Sequence, residues 1–343
     1  MKEAFVTQGP TVEIVDSPIP EPNDDQLLIK VVVSGSNPKD WKLPQWRPDT
    51  RINQGDDIAG EVVKVGKNVF EFKPGDRVAA LHEMTKPGGS FAEYAIAWQH
   101  TTFHIPEAIS FEEAATIPLA AATAAVGLYR HLGLPEPWAP AKEPIPLVIY
   151  GGGTAVGAFA IQLARRSNIH PLIVVAGKSG EFVRPLLDES KGDVLVDYRG
   201  GADAVVEGIK AAAKGASLKH AYDAVSEAPT PHTLGRVLED GGLLTTVLPV
   251  NKPEEEIPPH VKWVMTMVGE VHDEDAEKRD FAFVALRYLA KGLAEGWLKP
   301  HPHRVVAGGL GGVQEALEQL MGGRVSAFKF VFRIGETEGA GKD

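Results

Sequence analysis

Leu147-Val148-Ile149-Tyr150-Gly151-Gly152-Gly153-Thr154-Ala155-Val156-Gly157, continued by Ala158-Phe159-Ala160-Ile161-Gln162-Leu163-Ala164, reads as a buried apolar strand, a glycine turn and a helix of small and aliphatic residues. A turn in that position lets backbone N–H groups approach a pyrophosphate, and the helix N-terminus adds partial positive charge. Glycines that merely connect two elements are the competing reading. The placement disfavours it, because these close an apolar strand and open a helix. Gly151, Gly152, Gly153, Thr154, Ala155, Val156 and Gly157 are therefore the expected dinucleotide contacts.

The position roughly twenty residues beyond the last glycine selects the dinucleotide. There the second strand, Leu172-Ile173-Val174-Val175-Ala176, runs into Gly177-Lys178-Ser179. A carboxylate at the strand tip would bind the ribose 2′-hydroxyl of NAD and repel a 2′-phosphate. This chain offers a small Gly177, a cationic Lys178 and the hydroxyl of Ser179, so the expected cofactor is NADPH. Lys178 also reads as an ordinary solvated lysine, and the missing acid carries more of the argument. Glu181 nearby counts against it.

The 343 residues suffice for two domains with sizeable cores. A net charge of -11 argues against nucleic acid or an anionic membrane as the main partner. With no cysteine in the chain, a disulfide framework and a thiolate nucleophile are both excluded. The start, Met1-Lys2-Glu3-Ala4-Phe5, lacks the apolar core of a signal peptide. The longest apolar stretch, from Ala114 to Tyr129, contains Pro118 and is too short to span a bilayer. The expectation is a cytoplasmic protein.

Short β-like runs broken by Pro and Gly fill the first third: Leu27–Val33, Gly60–Gly66 and Arg77–Leu81 are the clearest. Ser110-Phe111-Glu112-Glu113 fits a capping box that opens a helix. Pro135 to Pro146 reads as an exposed semi-rigid link. Strands then alternate with helices through Val194–Val196, Ala221–Val225 and Leu243–Leu248, the pattern of a doubly wound parallel sheet. Helical spacing over Phe281–Trp297 and Val313–Met321 precedes a last strand, Phe328–Phe332. The polar tail from Glu336 is expected to be disordered.

Ser36-Asn37-Pro38-Lys39-Asp40-Trp41-Lys42 resembles the Asn-Pro-x-Asp motif of the quinone-reductase branch of the medium-chain dehydrogenase/reductase superfamily. Gly55–Gly66, Pro74–Val78, Gly88–Tyr94 and Val325–Lys329 resemble that superfamily's glycine-rich framework, in the same order along nearly the whole chain. Within it, the Tyr150–Ala155 turn, the proline-rich link and Asp197-Tyr198-Arg199 resemble fungal trans-acting enoyl reductases. Thr154 departs from the quinone-reductase pattern, which has Gly there. The resemblance implies an α/β fold with a GroES-like β-rich catalytic domain at 1–122, completed by 278–343. A Rossmann NADPH-binding domain, with its doubly wound parallel sheet, takes 123–277.

Zinc-dependent members of that superfamily use a Cys and a Gly-His-Glu motif, and here Gly55-Asp56-Asp57 stands in the motif's place. No metal is expected, because zinc sites favour nitrogen and sulfur ligands. Asp56 and Asp57 read as one turn cap and one solvated carboxylate. The resemblance then implies reduction of an activated C=C bond, with the conjugated carbonyl holding the enolate charge. Lys42 matches a lysine proposed as proton donor or enolate stabiliser, against the alternative of a surface cation. Asn37 and Asp40 match positions lining the nicotinamide pocket, Asp40 having a turn role as its alternative.

Thr123 matches a threonine at the nicotinamide ribose, Tyr198 an aromatic near the 2′-phosphate, and Met267–Glu270, with Gly269, a strand beside the active site. Trp41, Trp46 and Trp263 are candidates for either pocket wall or core. The implied activity is NADPH-dependent reduction of an α,β-unsaturated carbonyl compound, a small molecule or one borne on an acyl carrier. The alternatives are a detoxifying quinone or alkenal reductase and a non-catalytic NADPH-binding protein. The protein is expected to be a monomer or a homodimer.

Overall fold

The computed structural model describes residues 1–341. Among the described residues the strands are, in chain order, β1 (Lys2–Thr7), β2 (Thr11–Asp16), β3 (Gln26–Gly35), β4 (Asp57–Val65), β5 (Arg77–Leu81), β6 (Tyr94–Trp98) and β7 (Thr102–His104). They continue as β8 (Leu147–Tyr150), β9 (Leu172–Ala176), β10 (Val194–Asp197), β11 (His220–Asp223), β12 (Leu243–Thr246) and β13 (Lys262–Met265). The last two are β14 (His303–Val306) and β15 (Lys329–Arg333). The chain forms two compact units: Met1–Ala122 with everything from Gly269 onward, and Thr123–Val268.

In the first unit, β14-β15-β3-β4-β5-β7 follow one another across a sheet, and β6 also pairs with β3. β3 buries most of its ten residues, and Leu27, Ile29, Val31, Ile58, Val78 and Phe332 share one core. β15 joins antiparallel to β3 with Val331 opposite Gly35, so a strand from the chain's end completes a sheet built near its start. That pairing is invisible to local patterning, which sees only a short apolar run.

The second unit carries a six-stranded parallel sheet in the order β10-β9-β8-β11-β12-β13. Numbered within the unit this is 3-2-1-4-5-6, the dinucleotide-binding order, whose direction reverses between β8 and β11. β8 and β9 are almost wholly apolar because a parallel strand is covered on both faces. Tyr222 on β11 is fully buried, donates to the Thr123 carbonyl at 2.8 Å and packs where a Cβ on Gly127 would stand. Gly127 is the second residue of a π-helical turn, Val126–His131, closed by Leu132 N–H to the Gly127 carbonyl at 2.9 Å.

Three expectations change. The tail from Glu336 is ordered through Gly341: Thr337 Oγ1 accepts from Leu310 N at 2.9 Å, and Gly341 N donates to Glu93 at 2.7 Å. Lys342 and Asp343 lie outside the described residues. Met267–Glu270 is not a strand. β13 ends at Met265, and Val268–His272 forms a 3-10 turn. The capping box at Ser110 does form, but its helix stops at Ala114 and a new one begins at Pro118, whose ring cannot continue a preceding turn.

Gly157 sits where an added Cβ would lie 2.2 Å from the Gly151 carbonyl oxygen. Gly157→Ala should lower stability by about 1–3 kcal/mol through overpacking, read from the urea midpoint.

Candidate active site

The glycine turn after β8 is held from within. Thr154 caps the helix Ala155–Arg166: its Oγ1 accepts from Gly157 N at 3.0 Å and donates to the Gly151 carbonyl at 2.9 Å. The hydroxyl is thus spent on the turn itself, which Gly151 enters with φ +84. Gly151 N and Gly152 N donate to the Val175 carbonyl. Among the described residues this leaves the N–H groups of Gly153, Ala155 and Val156 without a partner, at the positive end of a twelve-residue helix.

The neighbouring loop closes over that turn. A Cβ on Gly153 would lie 2.0 Å from Ser179 Oγ, and one on Gly177 would lie 2.6 Å from the Tyr198 ring. Tyr198 stands at the tip of β10, 42% exposed, with its ring near-parallel to Tyr150 at 6.4 Å. Gly151–Gly157, Gly177, Ser179 and Tyr198 therefore converge at the carboxyl ends of three adjacent strands. Lys178 is exposed beside them. Across the switch point, Val225 abuts Gly151, and Asp223 holds its loop by accepting from Val225 N, Ser226 N and Thr230 Oγ1. Burial raises the Asp223 carboxyl to about 6. Thr123 is buried, with its carbonyl taken by Tyr222.

In the first unit, Asn37, Asp40 and Lys42 share one short segment running into the helix Lys39–Trp46. Asp40 is fully buried, and its Oδ2 accepts from Asn37 N at 2.7 Å, which is a turn-forming role. Burial raises its carboxyl to about 7, against the opposing pull of Lys39. Asn37 donates from Nδ2 to Asp57 at 2.6 Å and accepts at Oδ1 from Lys329 at 3.1 Å. The amide is fixed by two buried charges. Lys42 is half-buried, its ammonium 4.9 Å from the Trp41 ring centre. Gly269 lies in the Val268–His272 turn near Met84.

The aspartates depart furthest from expectation. Neither Asp56 nor Asp57 is solvated; both are fully buried. Asp57 ion-pairs with Lys329 and accepts from Leu119 N at 2.7 Å. Asp56 ion-pairs with Lys39 and accepts from His82 Nδ1 at 3.0 Å. Burial pushes Asp56 up, but Lys39 and His82 outweigh it and hold the carboxyl below the usual range. A buried carboxylate is tolerated only with such partners, and their sequence distance is why they were missed. Of the tryptophans, Trp41 and Trp263 pack half-buried on the two cores, and Trp46 is 53% exposed. Among the described residues no group of three His, Asp or Glu is placed to hold a metal ion, and no helix is long and apolar enough to cross a membrane.

Residues 23–107 match the alcohol dehydrogenase GroES-like domain. The chain is 48% identical over 312 residues to trans-enoyl reductase fsr4 of Gibberella fujikuroi, covering 90% of this chain and 91% of that protein. It belongs to the trans-enoyl reductase family. Trans-enoyl reductase resD of Aspergillus sclerotiorum is 33% identical, with 95% and 98% covered. Two solved structures share the fold at 18% identity. CurK enoyl reductase has TM-score 0.75, with 96% of this chain and 98% of that one covered. Escherichia coli quinone oxidoreductase, complexed with NADPH, has TM-score 0.74, with 96% and 100% covered.

As a trans-enoyl reductase the protein is an oxidoreductase of the medium-chain dehydrogenase/reductase fold. Arg199, in the triplet at the β10 tip, is a cation that residue reading passed over. Its guanidinium grips Asp197 from Nε at 2.9 Å, holding that carboxyl down at about 2. The pair is exposed, so a competing anion can draw the arginine away at little cost.

His272 and His100 are buried in the trans-enoyl reductase's first unit, and burial lowers them to about 3 and about 4. The unfolded chain binds protons at these sites below about 6.5, before the folded chain does. The contribution of these two histidines should therefore be flat above that pH and fall as pH drops from about 6.5 toward 4, opposed by Asp40 and Asp223, whose raised carboxyls favour the folded chain as pH falls. His272→Gln should gain stability relative to the parent as pH drops across that range, measured as the difference in urea midpoints.

Proposed function

We propose that the protein reduces the C=C bond of an α,β-unsaturated thioester with NADPH, with Thr123–Val268 as the nucleotide-binding unit and the first unit as the catalytic one. The carrying observation is the cradle. Three unpartnered N–H groups at a helix N-terminus suit a pyrophosphate, and the β9 tip, which carries Lys178 and Ser179 and no acid, lies beside Tyr198. Arg199 adds a fourth group for the 2′-phosphate once it leaves Asp197. When bound, NADPH supplies a hydride to the β-carbon.

This chain's residues manage the rest. Addition at the β-carbon moves the π electrons toward the carbonyl, and a cation or hydrogen-bond donor near that oxygen stabilises the enolate. Lys42 is the group assigned to this role. Its ammonium either holds the enolate oxygen or delivers the proton that completes the new C–H bond at the α-carbon. Asn37 and Asp40 shape the backbone turn that presents it. The relatives are named for enoyl reduction, which supports a thioester over a quinone.

Parallel assays with NADPH and NADH on a short enoyl thioester, a free enal and a quinone test this directly. Turnover of the thioester with at least tenfold preference for NADPH is expected, since a 2′-phosphate contact is charge-assisted. Turnover of the quinone alone, or a preference for NADH, would sink the reading. Lys178→Ala and Arg199→Ala together should raise the KM for NADPH about tenfold and leave that for NADH nearly unchanged. Lys42→Ala should lower kcat roughly a hundredfold at unchanged KM for NADPH.

A further inference from the structure

We propose that Lys39, three residues before Lys42, is a positioning residue: its ammonium is the internal cation of a buried charge cluster that fixes the helix carrying Lys42. The inference rests on the role given to Lys42 above. Lys39 Nζ donates to the Gln54 carbonyl at 2.5 Å, lies 3.3 Å from Asp40 Oδ1 and ion-pairs with Asp56. Its side chain is only 15% exposed. Four protein oxygens, Gln54 O and Oε1, Asp40 Oδ1 and Asp56 Oδ2, surround an ammonium that has three protons, so Lys39 has none to spare for substrate. Lys42, one helical turn on, has its ammonium over the Trp41 ring.

The helix needs an outside anchor. It spans eight residues, carries Pro44 in its body, and begins at Pro38 without a side-chain cap. A helix this short is marginal on its own, and proline removes one of its bonds. Trp41 rests on the core and secures one face. The cluster secures the first turn, because Lys39 and Asp40 belong to the helix while Gln54, Asp56 and His82 lie on other segments. His82 is itself held at both ring nitrogens, 3.0 Å from Asp56 Oδ1 and 3.2 Å from the Pro87 carbonyl. Asp57, balanced by Lys329, is the remaining charge that acts on Asp40.

Removing the cation leaves Asp40 and Asp56 buried with one positive partner fewer, and the first turn must shift or take up a proton. A shift of about 1 Å at Lys42 is enough to cost a hundredfold in rate. Lys39→Met should therefore lower kcat at least tenfold at pH 8 with NADPH affinity, read by fluorescence titration, within about twofold of the parent. Activity should recover as the pH is lowered to 6, when the excess carboxylate is protonated. The double variant Lys39→Met/Asp56→Asn, which rebalances the charge, should return kcat to within about threefold, as should Lys39→Arg.

Wild-type kcat and pH profile in Lys39→Met overturn the proposal, as does a loss that neither acid nor Asp56→Asn relieves. If Lys39→Met does not fold, the double variant decides: kcat near the parent supports the role, and its loss overturns it. Lys42→Ala keeps this separate from the reaction assigned above. If Lys42→Ala is fully active while Lys39→Met is not, the route through Lys42 is wrong although the reductase reading stands. Absence of thioester turnover in the parent removes that reading itself.

Discussion

A carboxylate taken out of water must bring a cation with it, and the first unit is organised around that requirement. Asp57, at the start of β4, and Lys329, at the start of β15, lie far apart in the chain and form a fully enclosed ion pair. The pair sits where β15 enters the sheet against β3, so the electrostatic tie and the strand pairing support each other. Asn37 bridges both ions, and Asp57 also accepts from Leu119 N, which adds two further segments. Losing either charge would strand the other in a low-dielectric interior. Such a pair adds little net stability over an apolar one of the same size, and a shifted register of the returning strand would separate its two charges.

The second unit depends on close approach instead of charge. Its turn works because missing Cβ atoms let Gly157 stand against Gly151 and Ser179 against Gly153. Among the described residues the same turn leaves the N–H groups of Gly153, Ala155 and Val156 without a protein partner. Thr154 shows how a departure from pattern is absorbed. Its hydroxyl turns inward and caps the helix, so the extra side chain stiffens the turn without occupying the cradle.

The two kinds of site were legible to different degrees. The parallel strands could be read from apolar runs, and β9 begins and ends where its pattern does. The meeting of Gly177 with Tyr198 and of Gly153 with Ser179 could not, because it depends on strand order. Asp56 and Asp57 looked like loop residues, since a burial argument requires knowing that Lys39, His82 and Lys329 are near. The tail from Glu336 misled for a related reason. Its composition is that of a loose end, yet Thr337 and Gly341 find partners at Leu310 and Glu93.

The amino-acid sequence by itself determined the parallel strands β8 to β12, the glycine turn, the absence of an acid after β9 and the motif bearing Lys42. These are local properties, set by periodicity, side-chain size and neighbouring residues. Only the tertiary structure decided which charges are buried together, which turn the Thr154 hydroxyl caps and which strand completes the first sheet. Those outcomes rest on contacts between residues far apart in the chain, 292 positions in the case of Lys329 and Asn37. Burial and its compensation are properties of the packed chain, and no window along the sequence contains both partners.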